Sequence, residues 1–301
     1  MILIITEKSD IETSEVCKWL NYQKKDFIIE TNIVNLFRKN DWNYSSVWYR
    51  KLIICNSSFL ENIENFNRSQ MERFLDNELF ACIPYLKKKF NDIVCVGDIT
   101  NIDLNKLNTL SLAKDCGLNI PEFYVIASKN KLEDILLKHS KVIVKPLSNI
   151  ESFKETNNNF YVIPYTSSFT SEDLVRVPKD FFPTLVQNYI EPKMEYKGFY
   201  FNDFIAGISI KSDYYKTYSD LKLVLQNDKN SMLIEYSLPK DIQSKIKKLF
   251  KSQFLNIGTF DLIEDVLGNF YFLEINPSGN FDKIAQKTSN VIYKKIADYL
   301  V

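Results

Sequence analysis

The apolar residues of this chain fall into short runs separated by polar stretches, and the spacing of those runs changes along its length. Met1 to Ile5 is uninterrupted apolar sequence and predicts a buried first strand. Asp10 to Leu20 has a polar start followed by a helical pattern, and Phe27-Ile28-Ile29 predicts a second strand. Trp48 to Lys51 and Leu52 to Ile54 are ambiguous and admit an edge strand. Ser57 to Lys89 reads mostly as helix, broken or kinked at Pro84. Ile93 to Gly97 is another buried strand. This alternation of strand and helix predicts an α/β first domain ending near residue 100.

A second pattern follows. Asn105-Lys106 leads a helix over Leu107 to Cys116, closed by Gly117 at a C-cap position. Pro121 opens a strand over Phe123 to Ile126, a helix spans Lys131 to His139, and Lys141 to Pro146 is a strand. The polar loop Ser148 to Asn159 precedes a strand at Phe160 to Ile163, and this small α+β unit ends at Pro178 and Pro183. Strands at Thr184 to Ile190, Gly198 to Phe201 and Ile205 to Ile210 come next, then a variable segment, Ser212 to Leu233. A helix over Pro239 to Phe254, two apolar strands around Asp261 and Glu274, and a last helix over Phe281 to Leu300 complete the chain.

Composition narrows the chemistry. With 301 residues, 45% hydrophobic and 14% aromatic, the chain is globular and large enough for two or three subdomains. Its 38 basic residues balance 38 acidic ones, which argues against nucleic acid as the main partner. Lys87-Lys88-Lys89 and Lys245 to Lys248 read as solvated helix faces. Five scattered cysteines and a single histidine, His139, leave little room for a zinc site or for a Cys-His or Ser-His nucleophile. The thiols are expected to be reduced. No apolar run is long enough for a signal peptide or a membrane span, so the expectation is a cytoplasmic protein that meets neither membrane nor nucleic acid.

Four groups of residues could carry chemistry. In Tyr271 to Asn276, Glu274 and Asn276 stand at i and i+2 and point to one face of a strand. Asp261 lies in the neighbouring apolar run, with Asp265 and Gly268-Asn269 as turn residues between them. A hairpin would gather three oxygen ligands of the kind Mg²⁺ accepts; an edge strand with a solvated face accounts for Glu274 and Asn276 as well. Lys145 ends an apolar strand before Pro146, at a rim suited to phosphate or simply to solvent. Gln187, Asn188, Tyr189 and Ile190 form a linking segment whose backbone could read a purine edge. Glu195 follows, an acid that could accept from ribose hydroxyls.

The order of these features, from Asn105-Lys106 through Val142 to Pro146, Gln187 to Glu191 and Glu195 to Asp261 and Leu273 to Pro277, resembles the ATP-grasp superfamily. Trp48 to Lys51, Thr170 to Pro183, Leu238-Pro239, Asn276 to Phe281 and Ile296 to Leu300 look like the graspetide ligases, the microviridin-type and grasp-with-spasm peptide maturases. The resemblance implies α/β and α+β architecture: an N-terminal Rossmann-like pre-ATP-grasp domain (1–103), a central subdomain (104–183) and a C-terminal subdomain (184–301). It implies ATP and Mg²⁺, with Lys106 and Lys145 on phosphates, Gln187 to Ile190 around adenine, Glu195 on ribose, and Asp261, Glu274 and Asn276 on the metal. The implied partner is a ribosomal precursor peptide, its leader recognised largely by the central domain, and a homodimer is compatible with the family. The implied reaction joins Asp or Glu side chains to Thr, Ser or Lys as ω-esters or ω-amides.

The chain departs from the family pattern in its cations. Relatives carry an arginine two residues after the ribose acid, where this chain has Lys197. A second family arginine is absent, leaving Lys211, Lys216 or Lys222 to replace it; of the five arginines none lies after Arg176. Lysine keeps the charge and loses the bidentate fork. A ligase for free amino acids or protein C-termini, and a nucleotide-binding protein with lost catalysis, are the rival expectations.

Overall fold

The computed structural model describes residues 1–39, 42–51, 65–101, 104–147, 166–211 and 233–301. Three sheets follow one another along the chain. In the first, strands β1 (Ile2–Ile5), β2 (Phe27–Glu30), β3 (Ser46–Tyr49) and β4 (Val94–Val96) are parallel in the order β2-β1-β3-β4. Helices α1 (Ile11–Tyr22), α2 (Val34–Lys39) and α3 (Asn65–Lys89) connect them. Strand β3 lies between β1 and β4 rather than at an edge, because all four of its residues are buried and need cover on both faces. Helix α3 continues through Pro84 instead of ending there. Leu52 to Ile54, Ser57 to Glu64, the polar loop 148–159 and the expected strand 160–163 lie outside the described residues.

The second sheet is antiparallel: β5 (Phe123–Ser128), β6 (Lys141–Lys145), β7 (Ser167–Thr170) and β8 (Asp180–Asn188), in the order β5-β8-β6-β7. Helix α4 (Lys106–Asp115) precedes it, and α5 (Lys129–Lys138) joins β5 to β6. Asn105 caps α4 by accepting from the Asn108 amide at 3.0 Å, and Gly117 ends it with φ +87°. Strand β8 begins earlier than the sequence reading has it and passes through Pro183. A register shift opposite, between Ile126 and Ser128, accommodates the missing amide. Placed by the sequence reading at the start of the C-terminal unit, β8 pairs instead with β5 and β6 and is part of the central sheet.

The third sheet is antiparallel, β11 (Ile234–Glu235), β10 (Phe204–Lys211), β9 (Pro192–Phe201), β12 (Ile257–Asp265) and β13 (Phe270–Asn276), in that order. Helix α6 (Lys240–Ser252) covers one face, where Ile242, Ile246, Leu249 and Phe250 pack with Tyr200, Phe260, Leu262 and Phe272. On the other face Phe199 and Ile208 join Phe281, Ile284 and Tyr293 in a core shared with Ile2, Ile4 and Trp48 of the first sheet. The expected C-terminal helix is two helices, α7 (Asp282–Lys287) and α8 (Val291–Leu300). Ser289 and Asn290 between them take left-handed φ values of 54° and 58°, and Tyr293 Oη donates to Asp282 Oδ1 at 2.8 Å across the break. The break folds α8 back onto α7 and brings Leu300 O to Ser46 Oγ of β3 at 2.6 Å.

Candidate functional site

Strand register builds the site. Asp261 of β12 stands opposite Lys197 of β9 on one side and Glu274 of β13 on the other, and Thr259 stands opposite Asn276. Directly opposed residues share a face, as do residues two apart, so Glu195, Lys197, Asp261, Glu274 and Asn276 all project from one side of the sheet. That side is apolar only where it meets the first domain, at Phe199 and Ile208. Its other end carries the polar set. β13 is an edge strand, and its polar residues Glu274 and Asn276 lie beside the half-buried Asp261 and Lys197, about 15% and 14% exposed.

Charge within the set is unevenly balanced. Lys197 Nζ lies 3.4 Å from Asp261 Oδ1. Burial, the largest influence on Asp261, raises its carboxyl pKa; Lys197 opposes this, Glu274 adds to it, and Lys145 lowers it again. The net shift is upward. Asp261 and Glu274 thus stand side by side, with Lys197 close to Asp261 and the charge of Lys145 within reach of it. Among the described residues no three His, Cys, Asp or Glu side chains gather into a metal cage. The donors are two carboxylates and one amide, a set that fits Mg²⁺, which keeps water and phosphate oxygens for its remaining positions.

The second sheet faces this set. Val142, Val144 and Val186 pack against α5, so Ile143, Lys145, Leu185 and Gln187, paired across β6 and β8, occupy the opposite face. The charge of Lys145 reaches Asp261 of the third sheet from there. Lys106, at the start of α4, donates to the Pro146 carbonyl at 3.2 Å, so the two lysines singled out in the sequence sit at adjoining positions. In the linking segment the Asn188 and Tyr189 amides are used within the sheet, donating to Glu122 O and Lys141 O at 3.0 and 3.2 Å. Gln187 Nε2 and Asn188 Oδ1 are buried without a hydrogen-bond partner among the described residues. Such groups need a partner, and a bound polar ring edge would supply one. Lys141 Nζ sits 3.9 Å above the Tyr189 ring, whose hydroxyl pKa burial and the carboxylates of Glu191 and Glu195 raise. Glu195 and the linking segment are thus neighbours. Ile190 follows Tyr189 and leads into β9.

Of the residues the sequence selected, the fold brings together Lys106, Lys145, Gln187 to Ile190, Glu195, Lys197, Asp261, Glu274 and Asn276. Lys211 ends β10, and its side chain, like Lys216 and Lys222, lies outside the described residues. His139 pairs with Glu122 at 3.2 Å, and burial pushes the Cys17 thiol up to about 11, a protonated core residue.

No family model matches the chain, and no curated protein matches it in sequence. Comparison with solved structures is decisive for the fold. A RiPP-associated ATP-grasp ligase of Chryseobacterium gregarium, in complex with ADP and a leader and core peptide, superposes with a TM-score of 0.80 at 20% identity, over 99% of this chain and 96% of that one. The chain has the ATP-grasp fold. The macrocyclase MdnC of Microcystis aeruginosa MRC, bound with precursor peptide MdnA, matches with a TM-score of 0.74 at 20% identity, over 99% and 98% of the two chains. The ATP-grasp ligase PsnB, complexed with a minimal precursor variant, Mg and ADP, matches at 0.69 and 13%, over 99% and 97%.

One contributor went unassigned in the sequence. Arg50 is 3% exposed and contacts the turn that follows Asn276, with Nη1 donating to Ser278 O at 2.7 Å. Its signal was present: an arginine at the end of an apolar strand in a chain with few arginines.

Proposed function

We propose that this chain is an ATP- and Mg²⁺-dependent ligase that activates Asp or Glu side chains of a ribosomal precursor peptide and joins them to Thr, Ser or Lys side chains as ω-esters or ω-amides. One observation carries the reading: Asp261 and Glu274, opposed across β12 and β13, share a sheet face with Lys197, and the charge of Lys145 reaches Asp261 from the second sheet. The chain-long likeness to ligases whose structures hold ADP and precursor peptides supports the substrate class.

In this reading Lys106 and Lys145 hold the nucleotide phosphates. Gln187, Asn188, Tyr189 and Ile190 surround the adenine, and Glu195 accepts from ribose. Asp261, Glu274 and Asn276 would hold Mg²⁺, which when bound neutralises phosphate charge and draws electron density from the γ-phosphorus. Lys197 stabilises the charge on the transferred phosphoryl group, and Lys211, opposite Met194 at the end of β10, is the second proposed cation. A substrate carboxylate oxygen attacks the γ-phosphorus and the bond to the ADP oxygen breaks, giving an acyl phosphate and ADP. A hydroxyl or amine then attacks the acyl carbon, the bond to phosphate breaks, and the attacking group's proton leaves with phosphate or to water. The cleft lysines supply charge throughout and no side chain of the enzyme becomes covalently modified. The leader segment is assigned to the central unit, where Leu137, Val175 and Phe182 are exposed apolar side chains.

The same fold likeness extends to D-cycloserine synthetase DcsG, at a TM-score of 0.59 and 10% identity, so a small-molecule carboxylate ligase is the second reading. Incubating the enzyme with Mg²⁺, ATP and a candidate precursor tests both. Loss of one water per linkage by mass spectrometry supports the first; ADP release with free amino acids and an unchanged peptide mass supports the second. No helix among the described residues is long and apolar enough to cross a membrane, in keeping with a cytoplasmic site of action.

A further inference from the structure

The N-terminal sheet has the order β2-β1-β3-β4, with a switch in direction between β1 and β3. In open parallel sheets that crevice is where a ligand usually sits. Here it holds the side chain of Arg50. The guanidinium Nε lies 3.4 Å from Asp10 Oδ2 and Nη2 lies 3.3 Å from Glu12 Oε2, with all three side chains nearly fully buried. Lys51 Nζ adds a contact to Asp10 Oδ1 at 2.9 Å. The other edge of the same guanidinium turns toward the end of β13: Nη1 donates to Ser278 O at 2.7 Å and to Gly279 O at 3.2 Å, and Nη2 donates to Asn280 Oδ1 at 3.2 Å. Glu12 Oε1 accepts from the Phe281 and Asp282 amides at 2.8 and 3.2 Å, continuing the same clasp.

The clasped turn is the one that orients Asn276. Its side-chain Oδ1 accepts from the Ser278 amide at 3.0 Å, and its carbonyl accepts from the Gly279 amide at 3.2 Å. Gly279 is pressed onto the strands beneath: a Cβ there would fall 1.9 Å from Thr259 Oγ1 and 3.2 Å from Asn276 Cβ. A guanidinium ion-paired on one edge with two carboxylates and hydrogen-bonded on the other to three oxygens of one turn leaves that turn little freedom.

The geometry points to Arg50 as a positioning residue for the metal site: a strut from the first domain that fixes the Ser278–Asn280 turn and, through it, the amide oxygen of Asn276. This rests on the proposed assignment of Asn276 to Mg²⁺. It gives the crevice of the N-terminal sheet a mechanical task in place of a ligand. Groups one shell away from a metal typically change its affinity by about 10–100-fold when altered.

The test is Mn²⁺ binding to the full chain with ADP, followed by the electron paramagnetic resonance of the free ion, beside ADP binding in EDTA. Arg50→Lys, which keeps a charge and loses the fork, is expected to weaken Mn²⁺ by about 10–100-fold while metal-free ADP affinity stays unchanged. In an Asn276→Ala background the same change should cost nothing further, because its route to the metal is already cut. Unaltered Mn²⁺ affinity in Arg50→Lys, an equal loss of ADP affinity, or additive losses in the double variant would each overturn the strut alone. A wild-type protein that binds ADP but no Mn²⁺ would instead remove the metal assignment on which it stands. Should Arg50→Lys not fold, Glu12→Gln breaks the ion pair and keeps the acceptor for Phe281; it should lower Mn²⁺ affinity in the same direction, and no change there overturns the inference.

Discussion

Lys197 Nζ lies 3.4 Å from Asp261 Oδ1, straight across the β9–β12 ladder. Lys197 is therefore held beside a candidate metal ligand. It lowers the Asp261 pKa while burial and Glu274 raise it. A point charge on a flexible stem can serve Asp261 in the absence of nucleotide and swing to an incoming phosphoryl group.

Replacing Lys197 by Ala should therefore do two things. Turnover should fall by about a hundredfold or more, the rate equivalent of losing roughly 3 kcal/mol of charge stabilisation. The acid limb of the pH–rate profile should also move to higher pH, because Asp261 loses the neighbour that helps keep it ionised and metal binding needs the ionised form. Lys197→Arg should restore most of the rate. An acid limb that stays in place in Lys197→Ala would separate this lysine from Asp261.

Asp261 itself is expected to cost the metal-free protein stability. Its folded pKa is raised above the ordinary value of 3.8, so the ionised form is disfavoured in the folded state and stability from this group is lost as pH rises above that value. Metal-free Asp261→Asn should accordingly melt at or above the wild-type temperature at neutral pH. Mg²⁺ with ADP should raise the wild-type melting temperature and leave the variant's unchanged. Differential scanning calorimetry with and without EDTA measures both.

Glu274→Ala should abolish ADP release while the melting temperature shifts little, since a half-exposed cleft carboxylate contributes to charge placement more than to packing. Retained turnover in a folded Glu274→Ala protein would take Glu274 out of the metal set.

Asp10 behaves in the opposite sense to Asp261. Burial alone would raise its pKa, yet Arg50 and the hydrogen bonds from Lys51 and Thr13 together hold it below 3.8. Its contribution to stability is present above the unfolded pKa and lost as pH falls through the folded one. Between about pH 5 and about pH 3 urea unfolding should show a stability loss that becomes shallower in Asp10→Asn.

Gly198 sits under the Phe260 ring, where a Cβ would come within 2.1 Å of Cζ. Phe260 is fully buried and cannot swing away, so Gly198→Ala should destabilise by about 1–3 kcal/mol in denaturant unfolding. An unchanged midpoint would mean that the ring relocates without loss.

Local pattern alone determined much of this protein. The strands at Ile2–Ile5, Lys141–Lys145 and Phe270–Asn276, the capped helix after Asn105 and the same-face placement of Glu274 and Asn276 all follow from side-chain period and capping chemistry. The order of Lys106, Lys145, Gln187, Glu195 and Asp261 also lay in the sequence, and through it the resemblance to ATP-grasp ligases. Tertiary structure decided what periodicity does not encode. It placed β3 inside its sheet, assigned β8 to the central sheet, split the last helix at Ser289 and Asn290, and set Asp261 between Lys197 and Glu274. It alone joined Arg50 to the turn after Asn276, residues far apart in sequence. The reason is physical: repeats of two and 3.6 residues fix which way a side chain points within its own element. Which element it meets depends on strand register and on the burial of charge, and those are settled only when distant segments close around one another.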